Sequence, residues 1–293
     1  MKTLVIGANG HIGCHVVREL LREGRSIRAL VRANSDLRSL HGLDVEIVTG
    51  DVLDRDSVSQ AFKGIDCAYH LATPTIDTPD VSTIAVTGTN NVLECARAAG
   101  TVSRLIYTSS IVTLGYTEDP ARPLTESSFY RSAATPYHQA KFDAERLLLD
   151  RLQEPGMPPT IIIKPTTTIG PMDFRPTPAN RLILEYMRRP SPFYFDAGLT
   201  IADVEDVARG HVLGEKFGTP GRAYIVGGEF LPLRVLFGKL ADFTGVPRPK
   251  LRAGRTATIL AGAMLQVASL ITRTPPLMTA RQAMEFAGRY GAY

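Results

Sequence analysis

The sequence predicts an α/β protein with a doubly wound parallel sheet and a smaller, discontinuous, mainly helical lobe. Over the first two-thirds of the chain, short β-rich segments alternate with segments whose apolar residues recur at helical spacing. This alternation is typical of βαβ units, in which consecutive strands lie parallel and helices cover both faces of the sheet. The predicted strands are 3–6, 27–31, 45–48, 67–70, 104–108 and 160–163, and the predicted helices are 12–23, 56–62, 81–99 and 136–152.

The last third of the chain has a different pattern, which indicates the second lobe. Proline and glycine become frequent between residues 170 and 192, as expected for a loop-rich region. A predicted helix at 202–216 and a strand at 222–226 return to the sheet, and the remainder from residue 229 is mainly helical. We therefore expect a sheet domain of residues 1–166 and 201–227, and a substrate-binding lobe of residues 167–200 and 228–293.

The composition is that of an ordinary globular protein. Of 293 residues, 44% are hydrophobic and 21% charged, and the net charge of +4 comes from scattered basic residues without a Lys/Arg-rich run. This pattern argues against a nucleic-acid partner and suits a phosphorylated small molecule. Cys14, Cys67 and Cys95 form no CxxC pair, so neither a disulfide framework nor a zinc site is expected. His11 and His15 have metal-ligand spacing but no third ligand, so we expect no metal.

Two features bear on location. The chain starts directly with an apolar strand and shows no cleavable signal pattern, so we expect a cytoplasmic protein. Residues 256–272 carry no charge, but Thr, Gln and Ser interrupt a stretch of about the minimum length for a bilayer. We favour a lobe helix packed on the protein; the other interpretation is a surface that contacts a membrane or an apolar substrate.

A glycine-rich loop joins the first strand to the first helix. Residues 7–13 read Gly-Ala-Asn-Gly-His-Ile-Gly, in the strand–loop–helix setting of a dinucleotide-binding Rossmann-type fold. Glycines let the backbone approach a pyrophosphate at the helix N-terminus. A tight structural turn is the plainer alternative. The predicted cofactor contacts in this loop are Gly7, Asn9, Gly10, His11, Ile12 and Gly13.

The ends of the next two strands bear on the identity of the cofactor. NAD-binding folds place a carboxylate at the end of the second strand, where this chain has Val31 followed by Arg32. A guanidinium there can bind a 2′-phosphate, so NADP(H) is favoured, with NAD(H) still open and a solvated Arg32 as the alternative. After the third strand, Asp51 and Val52 are expected to contact the adenine, unless Asp51 caps a helix.

Three side chains are candidates for catalysis. Tyr137 and Lys141 lie four residues apart and therefore on one helix face. A nearby ammonium stabilises a phenolate, so Tyr137 can exchange a proton with a substrate oxygen and Lys141 can also hold a ribose. Ser109 and Ser110 follow the fifth strand, where a hydroxyl can bond the same oxygen, and either serine suits this role.

The glycine loop, the Ser/Tyr/Lys set and residues 164–171 (Lys-Pro-Thr-Thr-Thr-Ile-Gly-Pro) together resemble the extended short-chain dehydrogenase/reductase family over roughly residues 1–230. In that family the active serine lies five residues before a glycine, here Gly115, which selects Ser110. The resemblance implies hydride transfer on the pro-S face and a homodimer formed through helices 81–99 and 136–152. Further cofactor contacts are expected from Leu71, Ala72, Thr73, Thr108, Tyr137, Lys141, Pro165 and Thr168, and substrate contacts from Pro74, Ser110, Ile111, Phe193 and Phe195. For the two phenylalanines, core packing is the alternative to an apolar lid.

Two branches of the family compete. Residues 70–74 and the pair Val31-Arg32 resemble dihydroflavonol reductases and 3β-hydroxysteroid dehydrogenases, whereas 170–178 and 195–199 resemble hopanoid-associated sugar epimerases. Nucleotide-sugar epimerases typically carry asparagine where this chain has Thr167, and usually another near position 85, where this chain has Ala85. We therefore expect an NADPH-dependent oxidoreductase that interconverts a ketone and a secondary alcohol on a small hydrophobic or ring-shaped substrate. The alternatives are an NAD-dependent nucleotide-sugar epimerase or dehydratase, and a non-catalytic NADP(H)-sensing regulator.

Overall fold

Strands and helices alternate along the computed structural model, which describes residues 1–74, 80–128, 135–272, 276 and 278–293. The strands are β1 (Lys2–Ile6), β2 (Ser26–Val31), β3 (Glu46–Thr49), β4 (Cys67–His70), β5 (Arg104–Thr108), β6 (Thr160–Pro165), β7 (Thr167–Ile169), β8 (Phe193–Phe195), β9 (Ala197–Asp203), β10 (Ala223–Val226), β11 (Glu229–Pro232), β12 (Leu251–Ala253) and β13 (Arg289–Gly291). The helices are α1 (His11–Arg22), α2 (Arg55–Ala61), α3 (Val81–Ala99), α4 (Pro136–Arg151), α5 (Pro178–Arg188), α6 (Val204–Phe217), α7 (Leu233–Thr244), α8 (Arg255–Thr272) and α9 (Ala280–Phe286).

Seven strands form one parallel sheet in the order β10-β6-β5-β4-β1-β2-β3. Strand β1 lies between β2 and β4, so the direction in which strands are added reverses at β1. In open parallel sheets a ligand crevice opens beyond the carboxyl ends of the strands at this reversal. The predicted fold class is confirmed, and the predicted strands and helices of this sheet end within two residues of the observed ones.

Alternating side chains along the strands build two apolar layers, one on each face of the sheet. Leu4 and Ile6 pack on one face with Leu93 of α3, whereas Val5 between them packs on the other face with Val17 of α1. Successive residues of a strand point to opposite faces, so a central strand covered on both sides is apolar throughout. The two layers hold the strand ends rigidly, which is what a site built on those ends requires.

The chain divides into two compact units. The first consists of residues 1–113, 136–175 and 202–226, and the second of 114–135, 176–201 and 227–293. The predicted boundaries differ in two segments: they assign 167–175 to the lobe and 114–135 to the sheet domain. In the second unit this segment bonds to the end of the chain: the amide of Thr117 donates to Tyr290 (2.9 Å) and that of Leu124 to Ala292 (2.9 Å).

Within the second unit, short strands and helices stand side by side. Strand β9 pairs with β11 in antiparallel and with β13 in parallel orientation, and β8 pairs with β12. The helices α5, α7, α8 and α9 make up most of the remaining regular structure. This part of the chain is mainly helical, as its sequence predicts.

Helix α8 covers the uncharged segment and is more exposed than a packed lobe helix. It approaches the loop before α9 through Gly262, where a β-carbon would lie 2.8 Å from the carbonyl oxygen of Thr279. Outside this narrow contact, Leu260, Met264 and Ile271 are exposed. No helix in the described parts of the chain is long and apolar enough to cross a membrane. The expected packing of this helix is therefore restricted to one side.

We expect Phe62→Ala to destabilise the protein strongly. Phe62 is 1% exposed in the apolar layer below α2 and α3, and truncating a buried phenylalanine costs about 3–5 kcal/mol because it leaves a cavity. Phe217→Ala is the matched control in the same unit, since Phe217 is 79% exposed. Urea denaturation measures both. Equal midpoints for the two variants would contradict the assignment of Phe62 to the core.

Candidate active site

The predicted site residues of the first unit gather beyond the carboxyl ends of the parallel strands. Loops after β1, β4, β5 and β6 start at this edge, and α4 runs beside it. The predicted residues at these places are Gly7, Asn9, Gly10, His11, Leu71, Ala72, Thr73, Pro74, Thr108, Ser110, Ile111, Tyr137, Lys141, Pro165 and Thr168. Phe193 and Phe195 lie in β8 of the second unit, where their strand pairs with β12.

The loop after β1 leaves room for nothing larger than glycine at two points. Gly7 has a φ of +84°, and a β-carbon on it would lie 2.7 Å from the backbone nitrogen of Ala72. A β-carbon on Gly13 would lie 2.2 Å from the carbonyl oxygen of Gly7. The turn therefore packs closely against the backbone after β4 and against α1. Gly10 is the N-cap of α1.

The N-terminus of α1 is suited to an anion. No acidic residue occupies its first turn, and the cap residue Gly10 contributes no side-chain hydrogen bond. The first amides of the helix, including those of His11 and Ile12, point outward without helical partners, and the helix dipole favours negative charge there. The close-packed glycines and the uncapped amides fit a dinucleotide pyrophosphate.

The side chain of His11 lies beside the loop after β7. Its Nδ1 is 3.9 Å from a carboxylate oxygen of Asp173, and both side chains are almost fully buried. Burial lowers the pKa of His11, and the nearby Asp173 partly offsets this. His15 Nε2 lies 3.2 Å from the carbonyl oxygen of Pro171. These histidines tie α1 to residues 171–173, and the described part of the chain contains no group of three side chains placed to bind a metal.

The loop after β2 carries an ion pair that the sequence reasoning did not single out. Arg32 is exposed directly after the buried Val31. Arg38, by contrast, bonds both carboxylate oxygens of Asp36, and this hydrogen bonding lowers the Asp36 pKa to about 2. Asn9 donates to the backbone oxygen of Asp36 (3.2 Å). The side chain of Asn9 therefore connects this loop to the glycine loop.

The segment after β3 is held by local hydrogen bonds. The Asp51 carboxylate accepts from the amide of Leu53 (2.9 Å), and the residue that caps α2 is Asp54. Val52 is buried against α3, where a β-carbon on Gly88 would lie 2.7 Å from its side chain. The helix-cap alternative for Asp51 is wrong, because α2 begins after Asp54.

The two serines after β5 have different partners. Ser110 lies close enough to the Tyr137 hydroxyl to lower its pKa, which opposes the rise caused by burial. Ser109 instead donates to the carboxylate of Glu145 on α4. The amide of Val112 lies 3.3 Å from the hydroxyl oxygen of Ser110 and helps to orient it. Of the two serines that the sequence leaves open, the structure brings Ser110 to the tyrosine.

Lys141 is buried one turn after Tyr137 on α4. Its ammonium donates to the carbonyl oxygen of Thr108 (3.0 Å) and to the hydroxyl of Thr73 (3.1 Å). Burial lowers the pKa of Lys141 to about 8; Glu145 raises it and Lys164 lowers it further. Because the remaining pKa lies above 7, the side chain carries a positive charge at neutral pH.

Apolar packing fixes the ring of Tyr137. The ring lies against a small cluster in which Ala85 of α3 meets Ala140 and Ala144 of α4. Small residues let the two helices approach closely at this point. Ala85 is therefore part of the packing beside the tyrosine.

The remaining predicted residues line the ends of β4, β5 and β6. The amide of Leu71 bonds to Ile6 (2.9 Å), which places Leu71 and its neighbours beside the glycine loop. Ile111 and Pro165 are buried, and the hydroxyl of Thr168 donates to the carbonyl oxygen of Thr166 (3.0 Å). These residues form the walls of the site and contribute no charge to it.

Glu145 and Lys164 lie beneath the site, and no role for either was predicted from the sequence. Lys164 is the first residue of the 164–171 motif. Glu145 is four residues after Lys141 and eight after Tyr137, so all three occupy one helix face. That spacing is the sequence feature that identifies Glu145.

Comparison with known proteins places this arrangement in a family. The sequence model described as the NAD dependent epimerase/dehydratase family matches residues 3–227. A dihydroflavonol 4-reductase-like protein of Synechocystis sp. is 37% identical over 258 residues, covering 84% of this chain and 73% of the relative. Sterol demethylase protein B of Methylococcus capsulatus is 32% identical over 265 residues, covering 86% and 77%.

A solved structure agrees with these relatives. The crystal structure of gox2253 superimposes with a TM-score of 0.83 and 32% identity, over 99% of this chain and 89% of that one. The match in sequence covers the sheet and the glycine loop together with the serine, tyrosine and lysine. The chain therefore belongs to the NAD-dependent epimerase/dehydratase family of extended short-chain dehydrogenases/reductases and is an NAD(P)-dependent enzyme.

Proposed function

We propose that the protein is an NADPH-dependent reductase that interconverts a ketone and a secondary alcohol on a small hydrophobic or ring-shaped substrate. The observation that carries this proposal is that Ser110 lies close enough to lower the pKa of Tyr137, one helical turn from the charged Lys141. A proton donor and a buried cation one helical turn apart, with a second hydroxyl from the turn after β5, form the set needed to protonate a carbonyl oxygen.

The residues divide the chemistry between them. A dinucleotide held by the glycine loop and Lys141 would supply the hydride for reduction of the carbonyl carbon, or accept it in the reverse direction. Ser110 donates a hydrogen bond to the substrate oxygen, and Tyr137 gives that oxygen its proton, so that the C=O bond becomes CH–OH. Lys141 stabilises the phenolate that Tyr137 becomes, because a positive charge favours the ionised form of a neighbouring phenol.

The preference for NADPH rests on charge at the end of β2. Val31 supplies no carboxylate to repel a 2′-phosphate, and the exposed Arg32 follows it directly. Arg38 is engaged with Asp36, so Arg32 is the side chain that we assign to the phosphate. A guanidinium binds phosphate with charge-assisted, often bidentate hydrogen bonds.

The substrate class is supported by two relatives and by the site walls. The names of the Synechocystis and Methylococcus proteins refer to a dihydroflavonol and a sterol, both of which are ring systems. Pro74 and Ile111 are buried apolar residues beside the catalytic set. A hydrophobic ketone suits such walls better than a sugar diphosphate, whose charge would need basic partners.

We expect Tyr137→Phe to lower kcat/KM for ketone reduction by about 10²–10⁴-fold, because the proton donor is removed while the ring remains. Affinity for NADPH, followed by fluorescence titration, is expected to be unchanged. The assay follows NADPH oxidation with ring-containing ketones, a dihydroflavonol and a steroid ketone among them. Unaltered turnover in this variant would rule out the proposed chemistry, and cofactor binding without turnover in the wild type would favour the regulator.

We expect Arg32→Ala to weaken NADPH binding by at least about tenfold and to leave NADH binding unchanged, because a hydrogen-bonded charge on the 2′-phosphate contributes about 1.5–3 kcal/mol. Arg209→Ala is the control, since Arg209 is an exposed arginine of α6 in the same unit. Preference for NADH in the wild type, or NAD⁺ that co-purifies and does not exchange, would contradict the proposal and favour an epimerase or dehydratase.

We expect kcat/KM for reduction to fall as the pH rises through about 8, the pKa of Lys141. Below this pH the lysine is charged and stabilises the developing phenolate; above it the charge is lost. Lys141→Arg keeps a charge throughout this range, so its residual activity is expected to lack the alkaline limb. The measurement is a pH profile of both proteins, and an identical limb in the two would exclude Lys141 as its origin.

A further inference from the structure

A buried polar cluster lies directly beneath the catalytic set. It consists of Ser109, Thr113, Glu145 and Lys164, which come from the turn after β5, from α4 and from β6. The Lys164 ammonium donates to the Glu145 carboxylate and to the hydroxyl of Thr113 (2.6 Å). Ser109 donates to the second carboxylate oxygen of Glu145, from which Thr113 Oγ1 is 3.2 Å. Each charge is thus paired and hydrogen-bonded.

The cluster holds the backbone that carries Ser110. The hydroxyl of Thr113 donates to the carbonyl oxygen of Ser110 (2.8 Å), and the amide of Ser109 donates to the carbonyl oxygen of Ile163 (2.8 Å). Ser109 and Thr113 flank Ser110 and both contact Glu145, which lies on the helix that carries Tyr137. The cluster therefore joins the serine turn to the tyrosine helix from below.

The same cluster supplies the charges next to Lys141. On α4 the neighbours are Tyr137 and Glu145; β6 contributes Lys164, β4 contributes His70, and β5 contributes Tyr107. The ionisation states of these side chains set the net charge around Lys141.

Most of these neighbours are neutral near pH 7. Burial lowers the pKa of His70 to about 3, and burial raises those of Tyr107 and Tyr137 above the usual range. Glu145 and Lys164 are then the ionised neighbours of Lys141 among the described residues. Their charges are opposite and cancel at short range.

We propose that Glu145 and Lys164 are positioning residues for the Ser110, Tyr137 and Lys141 site: their ion pair fixes the serine turn against α4 and balances the charge beside Lys141. This rests on the function proposed above, because it assigns the pair to the same proton transfer. A buried ion pair adds little net stability over apolar residues, so a role in placing catalytic groups accounts for its presence better than a role in folding.

The test uses Glu145→Gln, Lys164→Met and the double variant. In Glu145→Gln the Lys164 cation is no longer balanced and repels the proton on Lys141. The alkaline limb of kcat/KM then moves to lower pH by about one unit, the lower end of the range for a nearby charge. In Lys164→Met the carboxylate remains, and the limb moves to higher pH. The double variant restores the balance, and its limb returns close to that of the wild type.

A second readout needs neither substrate nor cofactor. In protein labelled with ¹³C-lysine, the side-chain signal that disappears in Lys141→Arg reports the titration of Lys141 directly. We expect this titration to shift in the same opposite directions in the two single variants and to return in the double variant. The control is Glu229→Gln, which removes one partner of an exposed ion pair with Lys239 and is expected to leave the titration unchanged.

Several outcomes would overturn the proposal. One is that the Lys141 titration shifts in the same direction in both single variants, or shifts in neither. Another is that the titration of the double variant does not return toward that of the wild type. If Glu145→Gln does not fold, the NMR titration of Lys164→Met decides the matter: a Lys141 titration that does not move to higher pH in that variant overturns the proposal. An inactive wild type would count against the proposed function alone, because the lysine titration still tests the charge balance. Opposite shifts are not expected from a general loosening of the structure.

Discussion

The site depends on the close approach of two backbone segments at the point where the strand order reverses. At the end of β1, Gly7 contacts the backbone of Ala72 beyond β4 at a distance that no β-carbon tolerates. Because β1 and β4 are hydrogen-bonded neighbours, this contact holds the glycine loop against Ala72, and the next residue, Thr73, accepts from Lys141. The anion-binding end of the helix and the catalytic lysine are thus linked by a few consecutive residues.

The charged side chains around Lys141 also come from elements that belong to the fold. Lys141 is buried, and its two nearest ionised neighbours, Glu145 and Lys164, carry charges opposite to each other. Glu145 serves two groups at once, accepting from Ser109 on one oxygen and from Lys164 on the other. Glu145 lies on α4, which covers the sheet, and Lys164 lies on β6, which belongs to the sheet. The electrostatics of the site therefore come from the packing of the fold rather than from added loops.

Local patterns predicted most of the sheet unit, because strand and helix periodicities depend on neighbouring residues. The glycine loop and the Tyr137–Lys141 spacing are also local features. What the sequence did not reveal depends on distant pairs: Lys164 meets Thr113 only after β5 and β6 have paired. The assignment of 114–135 to the second unit likewise depends on hydrogen bonds to residues 290–292.

The loop after β2 is a second, smaller example of a contact that the sequence does not predict. The absence of a carboxylate at Val31 was visible in the sequence, but the pairing of Asp36 with Arg38 was not, because two charged residues so close in sequence bond only in a turn of suitable shape. Asn9 holds that turn by its hydrogen bond to the backbone of Asp36. The sequence indicated Arg32 alone at this strand end, and the ion pair of Arg38 with Asp36 is visible only in the structure.

The buried lysine also relates function to stability. Lys141 has its pKa lowered from 10.5 to about 8 by burial, so the unfolded chain binds the proton more tightly than the folded protein does. Between these values the unfolded state carries more protons, and the free energy of unfolding therefore rises with pH across this window. At neutral pH the charged lysine costs the fold on the order of 3 kcal/mol. Active sites commonly retain such a cost because the charge is needed for the reaction. A lysine with a pKa near 8 is still charged at neutral pH. Because that pKa is close to neutral pH, neighbouring charges can change the protonated fraction of the lysine.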